Sequence, residues 1–257
     1  HERNHWAKNF KNGKFYDYPI SKQFIDELPE ATKKKIFKEL ETRDEKSLKT
    51  AKNYYEYTKA LAGETLQELF FTKYPKKLWG MDTMFLDANW APKRVKIFEK
   101  KTPFYGDQYS AVGVNGSGSI ITALEKKIIG LGGVINTTEV VEAIIQETGT
   151  VTSLSTNKRN IKIKHSETII NTLSLTNMCN LIGIDCQLDY RGVILVLIKL
   201  AKNSVFGDGV DFVYVDDEDV VFNRVSDQNS FISNPSESST VACCEITFSK
   251  EDQNDIK

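Results

Sequence analysis

The chain has 257 residues, 40% hydrophobic and 27% charged, with a formal net charge of −1. That is the profile of a globular protein long enough for one large core or two small ones. It excludes a membrane helix, since no apolar run approaches the roughly 18 residues such a span needs, and no secretory leader is visible, so a cytoplasmic location is expected. The charge is uneven: residues 1–103 carry 22 Lys and Arg against 15 Asp and Glu, and residues 104–257 carry 12 against 20. Between Lys33 and Glu45 the lysines alternate with acids, which reads as a solvated helix surface in preference to a nucleic-acid face. Histidines 1, 5 and 165 and the cysteines Cys179, Cys186, Cys243 and Cys244 are not spaced as metal ligands. Cys243 and Cys244, adjacent in a strand, would face opposite ways.

Residues 5–18 read as a hairpin, because Asn12-Gly13 is the favoured two-residue type I′ turn with aromatic residues on both flanks. Ser21 is placed to cap a short helix with Phe24, Ile25 and Leu28 on one face. Residues 30–60 are predicted helical, with Ile36, Phe37 and Leu40 inward. Ala62, Leu66, Leu69 and Phe70 share a helical face; Pro75 is expected to stop that helix, with Lys73, Lys76 and Lys77 at its C-terminal end. Trp79-Gly80 and the segment from Asn89 to Arg94 follow. Trp79 and Trp90, so close to a cationic cluster, suit either a capped core helix or the wall of a cavity.

Residues 95–104 read as an extended crossover. Gly113, Gly116 and Gly118 precede a helix predicted over 119–129, and such glycines let a ligand approach backbone at a helix N-terminus. Their spacing is not that of a dinucleotide-binding turn. From Val134 the pattern becomes β: 134–136, 140–146, 150–156, 160–165 and 167–171 are predicted strands, with turns at Thr148-Gly149 and Asn157-Lys158. A short helix is expected over 178–182 and a strand buried on both faces over 193–200. Strands are also predicted over 212–215, 220–225 and 241–248, with an acidic turn at 216–219. The expected architecture is α+β: a helical N-terminal half on a largely antiparallel sheet drawn from residues 134–248.

Several strings resemble a known family. The series Phe70, Tyr74, Lys77, Trp79, Gly80, followed by Leu86, Ala88, Trp90 and Arg94, matches the pattern of the UDP-galactopyranose mutase-like and protoporphyrinogen oxidase-like flavoproteins of the amine-oxidase superfamily. In the same order, 109–124, 132–144, 169–175, 188–191, 222–226 and 244–247 are similar to its later motifs, so the resemblance spans nearly the whole chain. It implies an FAD-dependent oxidoreductase acting on a small molecule, such as a sugar nucleotide or another anionic metabolite. Trp79, Trp90, Arg94 and Arg191 would then bind substrate, and Val134, Val140, Thr172 and Leu173 would face FAD, with the chemistry belonging to the flavin. It divides the chain into a substrate-side helical region (1–131), strands facing FAD (132–176) and a substrate-domain sheet (177–257).

Two departures matter. The family's N-terminal glycine-rich FAD unit and its C-terminal flavin-binding turn have no counterpart, so the resemblance implies the middle portion of a longer enzyme, completed by flanking segments. The mutases also set two arginines against the substrate diphosphate, a pairing suited to bidentate guanidinium contacts. Ile97–Phe98 and Ile194 stand there instead, which favours a general FAD oxidoreductase over a mutase proper. A stand-alone module for an anionic metabolite and a nucleic-acid-binding protein are the other open readings.

Overall fold

The computed structural model describes residues 4–92, 95–104, 116–207, 209–232 and 234–249. They form two compact units. One joins the residues up to Ile120 with those from Arg191 on; the other is Ile121–Tyr190.

The first unit opens with strands β1 (Ala7–Lys11) and β2 (Lys14–Tyr18), joined through Asn12 and Gly13, whose φ values of 49° and 74° make the predicted type I′ turn. Helix α1 (Lys22–Asp26) is capped by Ser21, whose hydroxyl accepts the Phe24 N–H at 3.1 Å. Helices α2 (Glu30–Glu41), α3 (Glu45–Thr50) and α4 (Tyr54–Leu66) follow. Their inward faces pack Ile20, Ile25, Ile36, Tyr54, Ala62 and Leu66 into one core with Phe24, Phe70 and Phe71.

Helix α4 is broken at Gly63, where φ 79° and ψ 167° lie in a region only glycine adopts easily. Glu39 of α2 fills the break. Its carboxylate accepts the Thr65 N–H at 2.9 Å and the Thr65 hydroxyl at 2.8 Å, and a Cβ at position 63 would fall 2.7 Å from the Glu39 Cβ. After Leu66 comes one π turn (Gln67–Phe71) and then α5 (Lys73–Trp79). Pro75 therefore does not stop the helix as expected. It sits in the first turn of α5, where a missing N–H costs nothing, and the interruption falls earlier, at Gly63 and the π turn.

The second unit holds most of helix α6 (Gly118–Gly130), the antiparallel strands β3 (Val141–Glu147), β4 (Thr150–Thr156) and β5 (Asn160–Lys162), and helix α7 (Leu175–Leu181). The predicted turn at Thr148-Gly149 is present, with φ values of 53° and 81°. Two expected strands are not. Residues 134–136 follow a reversal in which the Gly133 N–H returns to Ile128 O at 2.9 Å. Residues 167–171 follow a turn in which the Glu167 carboxylate accepts the Lys164 N–H at 2.7 Å. Neither segment has a ladder partner among the described residues.

The chain returns to the first unit with β6 (Gly192–Leu200), β7 (Phe212–Val215), β8 (Arg224–Asp227) and β9 (Thr240–Phe248). With the hairpin they form a six-stranded sheet in the order β2-β1-β7-β8-β9-β6. Only β1–β7 is parallel; every other neighbour is antiparallel. The α+β expectation holds, but 134–248 supply two sheets, and the N-terminal hairpin belongs to the larger one. Strand β6 is not buried on both faces. It lies at the sheet edge, and Val193, Leu195, Val196, Leu197 and Ile198 are all exposed, Leu197 by 65%. The strand predicted over 220–225 starts only at Arg224, because the Val220 N–H closes a turn onto Asp217 O.

Candidate functional site

The C-terminal end of α5 is the best-constructed point of the first unit. The helix stops at Gly80, which is left-handed (φ 68°) and donates its N–H to Lys76 O at 2.7 Å. The Arg191 guanidinium lies directly on this glycine, and any Cβ there would collide with it. Gly80 thus has two reasons to lack a side chain: its backbone angle and the arginine above it. The residue before it, Trp79, meets Trp90 edge to face, with centroids 5.7 Å apart at 88°, and Trp90 in turn packs on Tyr54 at 5.1 Å. Trp90 ends a 3₁₀ turn (Ala88–Trp90) capped by Asp87, whose carboxylate accepts the Asn89 N–H at 2.7 Å.

The same end of α5 is fastened to the sheet. The Thr247 hydroxyl donates to Lys77 O at 3.3 Å and accepts from Asn223 Nδ2 at 2.8 Å and from Arg191 Nη2 at 3.4 Å. Lys77 extends under the acidic turn and donates to the carbonyls of Val215, Asp217 and Phe222 at 3.3, 2.9 and 2.8 Å. Burial pushes its pKa down, against the pull of Asp216, Asp217 and Glu218. On the other side of that turn Lys11 reaches Leu69 O of the π turn at 2.6 Å and Asp216 at 3.4 Å. Burial raises the Asp216 carboxyl, with Lys11 opposing. Arg224 pairs with Glu245 at 2.6 Å; burial works against its charge, but the Glu245 hydrogen bond prevails and holds it high.

Trp79, Trp90 and Arg191 are therefore brought together, from positions more than a hundred residues apart. Arg94 lies outside the described residues, as do Gly113 and the rest of 105–115. The Trp79 indole N–H is buried and has no acceptor among the described residues; a buried donor left unpaired costs roughly 1–3 kcal/mol. The reading from residue patterns singled out Trp79-Gly80 but missed why glycine follows tryptophan, and it missed Thr247 and Asn223 as the clamp. Their only signal was membership of strings that resemble the family.

Val134, Val140, Thr172 and Leu173 all lie in the second unit and are exposed, Val134 by 79%. Val140 has both backbone groups engaged: its N–H goes to Asn157 Oδ1 at 2.9 Å and its carbonyl accepts the Asn157 N–H at 3.0 Å. The Leu173 N–H is taken by Asn171 Oδ1 at 3.1 Å. Val134, Val140 and Leu173 present exposed apolar side chains, and the N–H groups of Val140 and Leu173 are already engaged. A pyrophosphate is less well served. The first amides of α6 are used locally, Ser119 N–H to Gly116 O at 3.2 Å and Ile120 N–H to Ser117 O at 3.1 Å. Exposed Val134, Val140 and Leu173 would suit the ring portion of FAD, whereas these described amides are not open to its phosphates.

The family model for UDP-galactopyranose mutase matches residues 69–256. The chain belongs to the UDP-galactopyranose mutase family. Several solved structures share its fold. One is a reduced UDP-galactopyranose mutase (TM-score 0.75, 15% identity, 97% of this chain and 58% of that one). A second, assigned as a protoporphyrinogen oxidase, is from Exiguobacterium sp. 255-15 (TM-score 0.67, 13% identity, 96% and 59%). A third is an oxidoreductase from Methanosarcina mazei (TM-score 0.58, 14% identity, 100% and 62%). The chain thus spans about three fifths of the length of each. No curated protein sequence matches it. The two positions where mutases are expected to carry arginines are occupied structurally in this family member. Ile97 packs on the helical core, Phe98 exchanges backbone bonds with Ile20 and Lys22 at 2.9 and 2.8 Å, and Ile194 pairs with Ile246. No described helix is long and apolar enough to cross a membrane.

Proposed function

We propose that this chain forms the substrate-side part of an FAD-dependent oxidoreductase that acts on an anionic small molecule. Trp79 and Trp90 form an apolar wall, and Arg191 with Arg94 supplies fixed positive charge. The observation that carries the reading is the Arg191 guanidinium seated on Gly80, immediately beside the Trp79–Trp90 pair. A guanidinium cannot lose its charge near neutral pH and suits carboxylate or phosphate. FAD, when bound, supplies the redox chemistry. This chain's residues orient the substrate and shield it from water, while other segments of the enzyme hold the flavin phosphates.

In the flavin-loaded enzyme, Arg191→Ala and Arg94→Ala should each lower kcat/KM by about 2–4 kcal/mol at unchanged flavin content, as for removal of a preorganised electrostatic donor. An unchanged kcat/KM in both would overturn the assignment. The 257-residue chain by itself should take up FAD poorly; stoichiometric flavin on it would contradict the division of labour. The family match supports a second reading, a redox-neutral mutase acting on a sugar nucleotide. Turnover of a UDP-hexose with no electron acceptor consumed selects the mutase, and consumption of an acceptor selects the oxidoreductase.

A further inference from the structure

The six-stranded sheet ends in two edges of opposite character. One is β2, five residues long, with Lys14 and Asp17 along it. Asp17 is paired with Lys8 at 3.7 Å and with Lys101. Short length and charge are the usual means of keeping an edge from pairing with another chain. The other edge is β6, nine residues long, whose one ladder partner among the described residues is β9. Its single charge is Lys199. Leu195 and Leu197 stand 58% and 65% exposed on one face, and Val196 and Ile198 stand 41% and 47% exposed on the other. Alternate residues of β6 direct N–H and C=O groups to the open edge, beside apolar side chains left in water. A layer packed on a sheet covers one face. Exposure on both faces at once suits a strand added in the plane of the sheet.

We propose that β6 is the contact through which two copies of this chain pair, antiparallel about a twofold axis at Val196. Such an interface must be complementary to itself. The string Ile194-Leu195-Val196-Leu197-Ile198 reads the same in both directions. The twofold therefore sets Val196 against its own copy, Leu195 against Leu197, and Ile194 against Ile198. These are apolar and β-branched cross-strand pairs, the unit of sheet stabilisation. Lys199 falls opposite Val193 of the second copy. The two lysines then lie roughly 20 Å apart along the pair, so no like charges meet. Both open edges close, and the two sheets become one. The contact lies wholly within the first unit and is independent of the functional reading.

The test is the mass of the full 257-residue chain in solution, by light scattering after size exclusion. The chain should run at twice the mass of one copy. Leu195→Lys combined with Leu197→Lys should run as a monomer, because lysines then face lysines across the axis. Leu195→Lys combined with Leu197→Glu should restore the dimer, because each lysine then meets a glutamate of the second copy. A parallel, in-register pairing would set like charges together in both variants and give no rescue. Both positions are more than half exposed, and circular dichroism checks that each variant is folded. Hydrogen exchange supplies a readout that needs no variant: amides of residues 193–199 should exchange more slowly in concentrated than in dilute protein. Four results would each overturn the proposal: a monomeric chain, which would leave the edge to another part of the enzyme; a dimer untouched by the paired lysines; no rescue by the charge swap; or exchange at 193–199 that ignores concentration.

Discussion

In the first unit Ile20, Ile25, Ile36, Ala62 and Leu66 are completely shielded from water, whereas in Ile121–Tyr190 Leu131, Val134 and Ile170 stand largely exposed. The hydrophobic residues classed as buried in the second unit reduce to Cys179. The first unit is held by apolar burial, the dominant favourable term in folding. The second is held by its β-ladder and by local turns, such as those of Asn157 with Val140 and of Arg159 with Glu139 at 2.8 and 3.1 Å. The Arg159 hydrogen bond keeps the Glu139 carboxyl low, but an exposed pair contributes little. Similar apolar content therefore has different energetic weight in the two units.

The largest test of this contrast is a pair of truncations. Leu66→Ala removes a side chain with no exposure and should cost about 3–5 kcal/mol in urea unfolding. Leu131→Ala, at 79% exposure, should change stability by less than about 0.5 kcal/mol. Equal costs would break the comparison. Next in size, amides of β8 and β9 should exchange with solvent at least about a hundredfold more slowly than those of β3 and β4, because the latter open without exposing a core. Indistinguishable protection would show that something other than the described contacts holds the second unit.

A smaller effect sharpens the site. Gly149 and Gly80 are both left-handed, at φ 81° and 68°, but only Gly80 has a neighbour in the path of a Cβ. Gly149→Ala should cost about 1 kcal/mol from backbone strain alone. Gly80→Ala should cost about 1–2 kcal/mol more, and Arg191→Ala in the same chain should remove that excess. If it persists without Arg191, the guanidinium is not what keeps position 80 bare.

The smallest is a pH effect in the first unit. Burial raises the Asp216 carboxyl above its ordinary range, with Lys11 opposing. Its protonated form is thus favoured in the folded state. That contribution is fully present below the unfolded carboxyl pKa and is lost as pH rises through the higher folded value. Between about pH 3 and pH 7, the intact chain should therefore lose stability relative to Asp216→Asn, read as the difference in urea midpoints. A gap that does not widen with rising pH would sink the assignment.

Local chemistry made part of this molecule legible without a structure. Asn12-Gly13 and Thr148-Gly149 specify their turns because few residue pairs tolerate positive φ. Ser21 announces α1 because its hydroxyl satisfies an otherwise orphaned N–H. The Phe70–Arg94 series carried the family resemblance, and with it Trp79, Trp90 and Arg94 as candidates; the string at 188–191 added Arg191. Tertiary structure decided the rest. Pro75 has the same sequence signal whether it ends a helix or opens one, and only the break at Gly63, filled by Glu39, settles which. An apolar run such as Val193–Ile198 does not encode whether its strand lies inside a sheet or at its edge, because that depends on which strands pair beside it. The meeting of Arg191 with Gly80, and the Thr247 clamp beneath it, joins residues far apart in the chain. No local propensity reports such a contact; it exists only once the sheet has closed against α5.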